Sequence, residues 1–420
     1  MAATVDLAGR RVLVTGGTGG IGARLVERLV LECNAEVRVL VRNLARAARI
    51  ARLPVELCEG DVLQRDSLRR AAERCDLVIH CARGDSGDLE RHRLVNVEGT
   101  RNVMDACVQA GVERVVHMST CRVFGMLTPD GDLDETAPKR YSGDIYSDSK
   151  LDAENVVYAY IRNQGVRAAI VQPTTVYGPF VQVWTQSVID RLKKGRIVLV
   201  NGGDGLCNAV YVDDVVTGTL LAATREEAVG EDFLISGPEP VTWWRFYEGF
   251  GQLFGGLDAV ELTLAEAELR YARQQRAQRA GSVFGELMRI VRDDKNVRRR
   301  IRHTREVAAL VDTAKHMLPE TVQRRLRAPK RPRQMPLAAA PAVTVPERPL
   351  LLPTADQAKF MAAKTRFRID KARWLLGYEP QFDFNQGMRI TAAWARWANL
   401  APPAEDHQER RPVQAAPWTG

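Results

Sequence analysis

Short runs of β-branched and other apolar residues alternate with longer stretches of helical character over residues 11–175. This alternation is typical of a parallel β-sheet that helices cover on both faces. One helix is expected to follow the first strand and to end near Leu31. The predicted strands span 11–14, 36–41, 55–58, 77–80, 114–118 and 169–171. The pattern therefore predicts an α/β fold with a doubly wound parallel sheet, in which ligands bind at the carboxyl ends of the strands.

The alternation becomes irregular after about residue 175, which predicts a smaller mixed α/β lobe that binds substrate. Part of this lobe is basic and helical in pattern and then rich in proline, as is typical of an insertion or linker. The predicted division is 1–175 for the first domain, 176–400 for the substrate-binding lobe, 256–365 for a basic helical and proline-rich insertion within it, and 401–420 for a disordered tail.

Positive charge is concentrated in one segment of the chain. The net charge is +8, but residues 261–335 contain 19 Lys/Arg against 9 Asp/Glu, so the remainder is close to neutral. A helix of this kind could form a solvated lid over a cleft, touch an anionic membrane surface, or bind an acidic partner through residues 262–333. Nucleic-acid binding is not expected, because Tyr271 and Phe284 are the only Phe, Tyr or Trp residues in the segment.

Several features favour a cytoplasmic protein. No run of about 18 or more apolar residues is present, so no membrane-spanning helix is expected. The first residues lack the basic and apolar regions of a secretory signal. The seven cysteines form no Cys-x-x-Cys pair, which favours a reducing compartment. No His, Cys and carboxylate set has the spacing of a metal site, so no metal is expected.

A glycine-rich turn, residues 15–22, lies between the first strand and the first helix. Gly16 permits the tight turn, Gly19 lets the backbone approach a pyrophosphate, and Gly22 allows the helix to pack closely on the sheet. A strand before and a helix after are the context that this motif requires. The turn therefore predicts a Rossmann-type, NAD(P)-binding domain over residues 1–175.

Tyr146 and Lys150 form a Tyr-x-x-x-Lys pair. Residues four apart on a helix share one face, so a phenol and an ammonium would lie together. The positive charge would favour ionisation of the phenol, which makes a group that transfers protons at neutral pH. Beside a nicotinamide cofactor, the pair predicts hydride chemistry at a carbonyl or hydroxyl carbon.

The residues after the second strand indicate which cofactor is preferred. An acidic side chain there would bond the adenosine ribose and favour NAD, but this chain has Arg42 and Asn43 after Val41. Arginine suits a 2′-phosphate, so NADP is expected and NAD remains possible. The alternative is that Arg42 is a solvated surface charge. Asp61, with Val62, follows the third strand and would suit the adenine edge.

Further segments occur in the order expected of one family. They are Val78–Ala82, Asn96–Thr100, Met118–Gly125, Gln172–Pro179, Val210–Val215 and Asp370–Pro380. With these segments the chain resembles the extended short-chain dehydrogenases/reductases, of the NAD-dependent epimerase/dehydratase type. The resemblance covers residues 10–250 and 365–390.

The resemblance implies roles for individual residues. Thr120, four residues before Phe124, would hydrogen-bond the substrate oxygen, unless it is a strand-end hydroxyl that only satisfies backbone. Tyr146 would exchange the proton, and Lys150 would bond the nicotinamide ribose. Asn96 is expected mainly to brace a helix. Cofactor-binding residues would be Gly16, Gly19, Gly20, Ile21, Gly22, Arg42, Asp61, Val62, Cys81, Ala82, Asn96, Tyr146, Lys150 and Pro173. Substrate-binding residues would be Ser119, Cys121, Arg122, Thr175 and Val176.

Two departures from the family pattern narrow the chemistry. Cys121 and Arg122 stand where nucleotide-sugar dehydratases have an Asp-Glu pair, so that dehydration is not expected. Asn208 or Ala209 stands where an arginine commonly holds a diphosphate, and Gln172 replaces an arginine before Pro173. Cys121 could act as an acid for epimerisation, or it could be a buried thiol that fills space.

The expected function is that of an NADP-dependent oxidoreductase or epimerase that transfers a hydride at a secondary alcohol or ketone. A sugar-nucleotide-like or other small molecule is the first substrate class. A hydroxysteroid or other lipophilic alcohol is the alternative, and a catalytically inactive NADP-binding scaffold or redox sensor is the non-enzyme alternative. A homodimer is expected.

Overall fold

A computed structural model describes residues 5–84, 89–126, 128–293 and 348–403. The chain forms two compact units, of which the first comprises Met1–Ala267 and Pro349–Gly420 and the second Glu268–Arg348. The predicted tail from residue 404 onward and most of the basic segment, 294–347, lie outside the described residues.

Strands and helices of the described residues follow one another as the sequence pattern predicts through the first half of the chain. The strands are β1 (Arg11–Thr15), β2 (Glu36–Val41), β3 (Val55–Glu59), β4 (Leu77–His80), β5 (Arg114–Met118), β6 (Gly131–Leu133), β7 (Ala168–Pro173), β8 (Thr175–Tyr177), β9 (Arg196–Val200), β10 (Ala209–Tyr211), β11 (Asp232–Ile235), β12 (Ala259–Leu262), β13 (Leu350–Leu351) and β14 (Thr365–Phe367). The helices are α1 (Gly20–Leu31), α2 (Arg65–Ala72), α3 (Leu89–Ala110), α4 (Ile145–Gln164), α5 (Ser187–Lys194), α6 (Val212–Thr224), α7 (Trp243–Gly251), α8 (Leu264–Asp293), α9 (Ala355–Ala362) and α10 (Phe384–Trp397).

Seven parallel strands form the main sheet, in the order β11-β7-β5-β4-β1-β2-β3. The chain winds outward from β1 to β3 and then returns to place β4 on the other side of β1. The carboxyl ends of β1 and β4 therefore border the point where the winding direction reverses, which is where doubly wound sheets bind ligands. The predicted doubly wound parallel sheet is confirmed.

Alternate side chains of the central strand pack into two separate cores. Val12 and Val14 face the core that contains α1 and α6, whereas Leu13 faces the core that contains α2, α3 and α4. All three side chains are almost completely buried. Burial on both faces explains why these strands read as continuous apolar runs. It also fixes the sheet rigidly beneath the ligand end.

The strand β11 joins the main sheet beside β7, although it lies far beyond the predicted domain division at residue 175. The main sheet is therefore not confined to the first 175 residues. A long crossover brings β11 back to the sheet edge. Hydrophobic periodicity reports that a strand exists and does not report which sheet it joins.

A three-stranded parallel sheet, β12-β9-β13, forms part of the smaller lobe. Two of its strands, β12 and β13, fall inside the range predicted for the insertion, 256–365. The bounds of the insertion stay a prediction. Helix α9 and strand β14 follow β13, and β14 pairs with β6. Neither α9 nor β14 was predicted, because each is too short to show a hydrophobic period and a proline-rich stretch precedes β13.

Helix α8 runs from Leu264 to Asp293, so its first residues belong to the first unit and the others to the second. Nearly all the described residues of the second unit belong to this helix. Its extent agrees with the helical pattern predicted for the start of the basic segment. Within the described residues no helix combines the length and the apolar character needed to cross a lipid bilayer. Contact of residues 262–333 with a membrane surface or an acidic partner stays a prediction.

Candidate active site

A cleft with a cavity volume of about 290 Å³ lies at the carboxyl ends of β1, β4, β5 and β7. It extends from the glycine turn, past Tyr146 and Lys150, to a group of apolar side chains. Twenty-five residues line it: Gly16, Gly19, Gly20, Ile21, Gly22, Cys81, Arg83, Met118, Ser119, Thr120, Cys121, Arg122, Met126, Tyr146, Lys150, Pro173, Thr174, Thr175, Val176, Val181, Gln182, Val183, Trp184, Gln357 and Phe360. The cleft thus joins the predicted cofactor and substrate residues in one space.

The glycine turn is built so closely that four of its positions, Gly16, Gly17, Gly20 and Gly22, leave no room for a Cβ atom. A Cβ atom on Gly16 would lie 2.6 Å from the backbone nitrogen of Ala82, and the φ angle of Gly16 is +71°. A Cβ atom on Gly22 would overlap the carbonyl oxygen of Gly16. Gly19, in contrast, has φ −82° and its Cβ would meet nothing closer than 3.4 Å.

Helix α1 begins directly after Gly19, so its first backbone N–H groups lie at the edge of the cleft. A helix N-terminus with a glycine approach is suited to a pyrophosphate, because unpaired N–H groups and the helix dipole attract negative charge. The space left open at Gly19 and the tight turn at Gly16 fit a dinucleotide. The glycine turn, Tyr146 and Lys150 would hold it.

Helix α4 presents Tyr146 and Lys150 to the cleft from its first two turns. Asp144 caps the helix, since its side chain accepts a hydrogen bond of 2.9 Å from the backbone N–H of Ser147. The Tyr146 ring contacts the His92 ring edge-on, with 6.0 Å between centroids. The predicted pair therefore shares one helix face, and capping fixes the turn that carries it.

Lys150 is almost completely buried, at 3% exposure, and its Nζ donates a 2.5 Å hydrogen bond to the carbonyl oxygen of Met118 at the end of β5. Burial lowers the pKa of the Lys150 ammonium to about 8, in opposition to the nearby Glu154 and Cys81, which raise it. The group is thus mainly charged at neutral pH. Its position between helix and sheet makes it a fixed cation on the cleft floor.

Thr120 and Ser119 place two hydroxyls at the end of β5. The Thr120 Oγ1 accepts a hydrogen bond of 3.3 Å from the backbone N–H of Arg122, which caps the short helical turn Cys121–Phe124. This contact uses one lone pair and leaves the hydroxyl proton to donate. The Ser119 Oγ is buried and has no hydrogen-bond partner within the described residues. Both predicted hydroxyls line the cleft.

Cys121 and Arg122 differ in their surroundings although both line the cleft. Cys121 packs in an apolar cluster with Phe124 and Leu151, and burial raises the pKa of its thiol to about 12. A thiol in this setting stays protonated at neutral pH and fills space. Arg122 donates from Nη2 to Asp144 at 2.9 Å, and its Cζ lies 5.2 Å from the centroid of the Tyr146 ring.

Some predicted cofactor residues lie beside the cleft without lining it. Arg42 is exposed directly after β2, and Asp61 accepts a 3.0 Å hydrogen bond from the backbone N–H of Leu63. Asn96 accepts from the backbone of Gly84 at 2.9 Å and donates to Ser149 at 2.8 Å, so it braces the loop after β4 against α4. Those found outside the lining are Arg42, Asp61, Val62, Ala82 and Asn96.

Sequence reasoning missed most of the apolar side chains in the cleft. Val181, Val183 and Trp184 follow the segment that ends at Pro179, so their proximity to it was a usable signal. Gln357 and Phe360 belong to α9, which follows the basic segment in the sequence, and neither residue lies in a recognisable motif. Other lining residues not predicted are Arg83, Met118, Met126, Thr174 and Gln182.

The position expected for a diphosphate arginine has a structural role here. Asn208 donates to the carbonyl oxygen of Thr365 at 2.8 Å and accepts from the backbone N–H of Phe367 at 3.1 Å. It thereby ties β10 to β14 instead of facing a ligand. Gln172 donates to Glu154 at 2.8 Å within a buried polar cluster. Neither residue lines the cleft.

Comparison with known proteins agrees with this geometry. Residues 12–236, more than half of the chain, match the model of the NAD dependent epimerase/dehydratase family. A ketoreductase of Stigmatella aurantiaca, named for 4-hydroxy-2-methyl-3-oxo-4-farnesyl-3,4-dihydroquinoline-1-oxide, is 32% identical over 237 residues, which cover 55% of this chain and 69% of that protein. The 3beta-hydroxysteroid-dehydrogenase/decarboxylase isoform 1 of Arabidopsis thaliana is 28% identical over 278 residues, which cover 59% of this chain and 61% of that protein.

Among solved structures, the crystal structure of gox2253 is similar, with a TM-score of 0.64, 26% identity, and coverage of 93% of this chain and 99% of that chain. The chain belongs to the NAD dependent epimerase/dehydratase family, the extended short-chain dehydrogenases/reductases. It is therefore an enzyme with a nicotinamide dinucleotide as cofactor, and the scaffold alternative raised from the sequence is set aside.

Proposed function

We propose that the enzyme is a reductase or dehydrogenase of a lipophilic secondary alcohol or ketone. The observation that carries this proposal is the substrate end of the cleft, where the apolar side chains of Met126, Val181, Val183, Trp184 and Phe360 outnumber the polar ones of Arg122, Gln182 and Gln357. A nucleotide sugar offers many hydroxyls, which the apolar side chains of this lining would leave without partners. Asn208, bonded to β14 backbone, does not supply the clamp that a diphosphate needs.

The relatives support the same substrate class. The name of one contains a farnesyl group and a ketoreductase activity, and the name of the other contains a hydroxysteroid dehydrogenase activity. Both names describe chemistry between an alcohol and a ketone. The match covers 61% of the length of the second relative, so the activity of that protein supports the proposal and does not establish the activity of this chain.

Three residues carry the chemistry in this proposal. Tyr146 gives a proton to the carbonyl oxygen during reduction, or takes the hydroxyl proton during oxidation. Thr120 donates a hydrogen bond to the same oxygen and orients it. Lys150 donates to the ribose of the cofactor and holds a positive charge on the helix face that it shares with Tyr146. When bound, the nicotinamide supplies or accepts the hydride.

Cofactor preference is proposed to be for NADP. Arg42 follows β2 directly and no carboxylate follows with it, so the usual partner of an unphosphorylated ribose is missing from 42–46. The exposed guanidinium suits a 2′-phosphate. Assays with NADPH and NADH side by side test the preference.

The test of function is a Tyr146→Phe variant assayed with a panel of lipophilic ketones by NADPH absorbance. We expect kcat to fall by roughly a hundredfold to ten-thousandfold, the range for loss of a general acid, while the Kd for NADPH is kept. Tyr141→Phe is the matched control, because Tyr141 is 61% exposed and bonds Asp152 outside the cleft. A fully active Tyr146→Phe enzyme would contradict the proposed role.

A further inference from the structure

The charged side chains that line the cleft are all basic. Arg83, Arg122 and Lys150 face the cleft, and none of the described residues in its lining is an aspartate or glutamate. An excess of positive charge in a partly apolar space attracts anions, because the low dielectric strengthens the interaction. The pyrophosphate of a dinucleotide accounts for charge at the glycine turn. It does not account for a cation at the substrate end.

Arg122 is the cation at the substrate end. Its Cζ lies 5.2 Å from the centroid of the Tyr146 ring and 5.8 Å from that of Phe360, so the guanidinium sits between two aromatic rings. Nε and Nη2 lie 3.2 and 3.0 Å from the sulfur of Met126. Lys150 is instead engaged with the carbonyl oxygen of Met118. Arg122 is therefore the basic group beside both the catalytic phenol and the apolar lining.

The Arg122 guanidinium is held on one edge and open on another. Nη2 donates to Asp144 at 2.9 Å, whereas Nη1 makes no hydrogen bond with any residue that the structure describes. Asp144 also accepts from the backbone and the hydroxyl of Ser147, so its charge is shared among several donors. A guanidinium has five N–H donors and can hold a second acceptor on its remaining edge. Its orientation is fixed before ligand arrives, which lowers the cost of binding.

We propose that Arg122 binds a carboxylate of the substrate through Nη1, next to the reacting carbon. The substrate is then a lipophilic hydroxy or oxo acid whose carboxylate lies close to its hydroxyl or carbonyl, because Arg122 stacks on the ring of the residue that handles that oxygen. The open edge of the Arg122 guanidinium, which has the Tyr146 and Phe360 rings and the Met126 thioether as neighbours, suits a single compact anion. This inference rests on the proposed function and assigns the substrate class of the same site.

The experiment compares 3-hydroxydodecanoate with its methyl ester, which has nearly the same apolar length without the charge. Oxidation of each is followed as NADPH formation, and binding of each to NADP-loaded Tyr146→Phe protein is measured by calorimetry, where turnover is blocked. We expect the acid to be preferred by roughly tenfold to a hundredfold in both measurements, the range for a hydrogen bond between charged groups. Circular dichroism melting checks that each variant folds.

Arg122→Met should remove the preference for the acid while keeping the apolar volume, and Arg122→Lys should restore part of it. Arg83→Met removes one positive charge from the same cleft and should leave the preference in place. The proposal is overturned if acid and ester bind equally, if Arg122→Met still discriminates, or if UDP-glucose binds with a comparable dependence on Arg122.

Failure of this inference is distinguishable from failure of the proposed function. If the ester is oxidised as well as the acid and Tyr146→Phe abolishes both reactions, the alcohol dehydrogenase stands and the carboxylate site is wrong. If neither compound is oxidised, the calorimetric ratio still decides on the carboxylate site, because it does not depend on turnover.

Discussion

The two ends of the cleft are built in different ways. The core of the cofactor end is the glycine-rich backbone of one continuous segment, Gly16–Gly22, at the end of β1. The substrate end consists of side chains from several segments, among them Met126, Trp184 and Phe360. Backbone geometry tolerates almost no change, whereas a side-chain lining changes by single substitutions. Substitutions at the cofactor end should therefore affect the fold, whereas substitutions at the substrate end should affect substrate binding alone.

The largest effect that would test this contrast is expected from Gly22→Ala. A Cβ atom there overlaps the carbonyl oxygen of Gly16 and lies 3.0 Å from the Cα of Gly17, so no side-chain rotation can relieve the contact. Alanine is otherwise the better helix former, so a neutral site would be stabilised. We expect instead a loss of roughly 2–4 kcal/mol of unfolding free energy, measured by urea denaturation, together with loss of cofactor binding.

Gly19→Ala is the matched control for that prediction. Its Cβ would lie 3.4 Å from the nearest atom and its φ of −82° suits alanine, so the fold should keep its stability. The added methyl group would still face the space proposed for the pyrophosphate. We expect weaker cofactor binding at unchanged urea midpoint. Equal stability losses in both variants would show that the turn is not as tightly packed as the geometry indicates.

A smaller effect, confined to the substrate, is expected from Phe360→Ala. The Phe360 ring contacts Trp184 and Trp243, with centroids 6.5 and 5.8 Å apart, and it covers one side of Arg122. We expect KM for a lipophilic ketone to rise by about tenfold to thirtyfold, as for loss of one aromatic contact, with the Kd for NADPH unchanged. Trp374→Ala, at an 83% exposed side chain, controls for loss of an aromatic ring. A change in NADPH affinity would contradict the separation of the two ends.

The residues at the cofactor end of the cleft were easier to predict from the sequence than those at the substrate end. The strands and the glycine turn were predictable because periodicity and local turn chemistry encode them, and Tyr146 and Lys150 because four-residue spacing defines a helix face. Phe360 was not, because α9 reaches the cleft only through pairing of β13 and β14 with distant strands. The role of Asn208 was not predictable either, because its hydrogen bonds go to the backbone of the distant strand β14. Long-range contacts of this kind leave no pattern within one segment.

The smallest expected effect concerns pH at the boundary between the two ends, where Lys150 lies. Burial lowers the pKa of its ammonium to about 8, with Arg83 lowering it further and Glu154 and Cys81 opposing. The charged form, which we propose donates to the cofactor, therefore predominates below pH 8 and is lost as pH rises through 8. We expect the affinity for NADH, measured by fluorescence between pH 6.5 and 9.5, to be flat at first and then to fall by at most about tenfold.

Lys150→Met decides whether that fall belongs to this residue. The variant should bind NADH more weakly at every pH and show a flat profile across the range, because the titrating group is gone. A profile that still falls near pH 8 in Lys150→Met would assign the dependence elsewhere, and a flat wild-type profile would mean that the ammonium keeps its proton throughout. Lys150 bonds the Met118 carbonyl at the end of β5 and shares a helix face with Tyr146. Its charge therefore lies at the boundary between the cofactor end and the substrate end of the cleft.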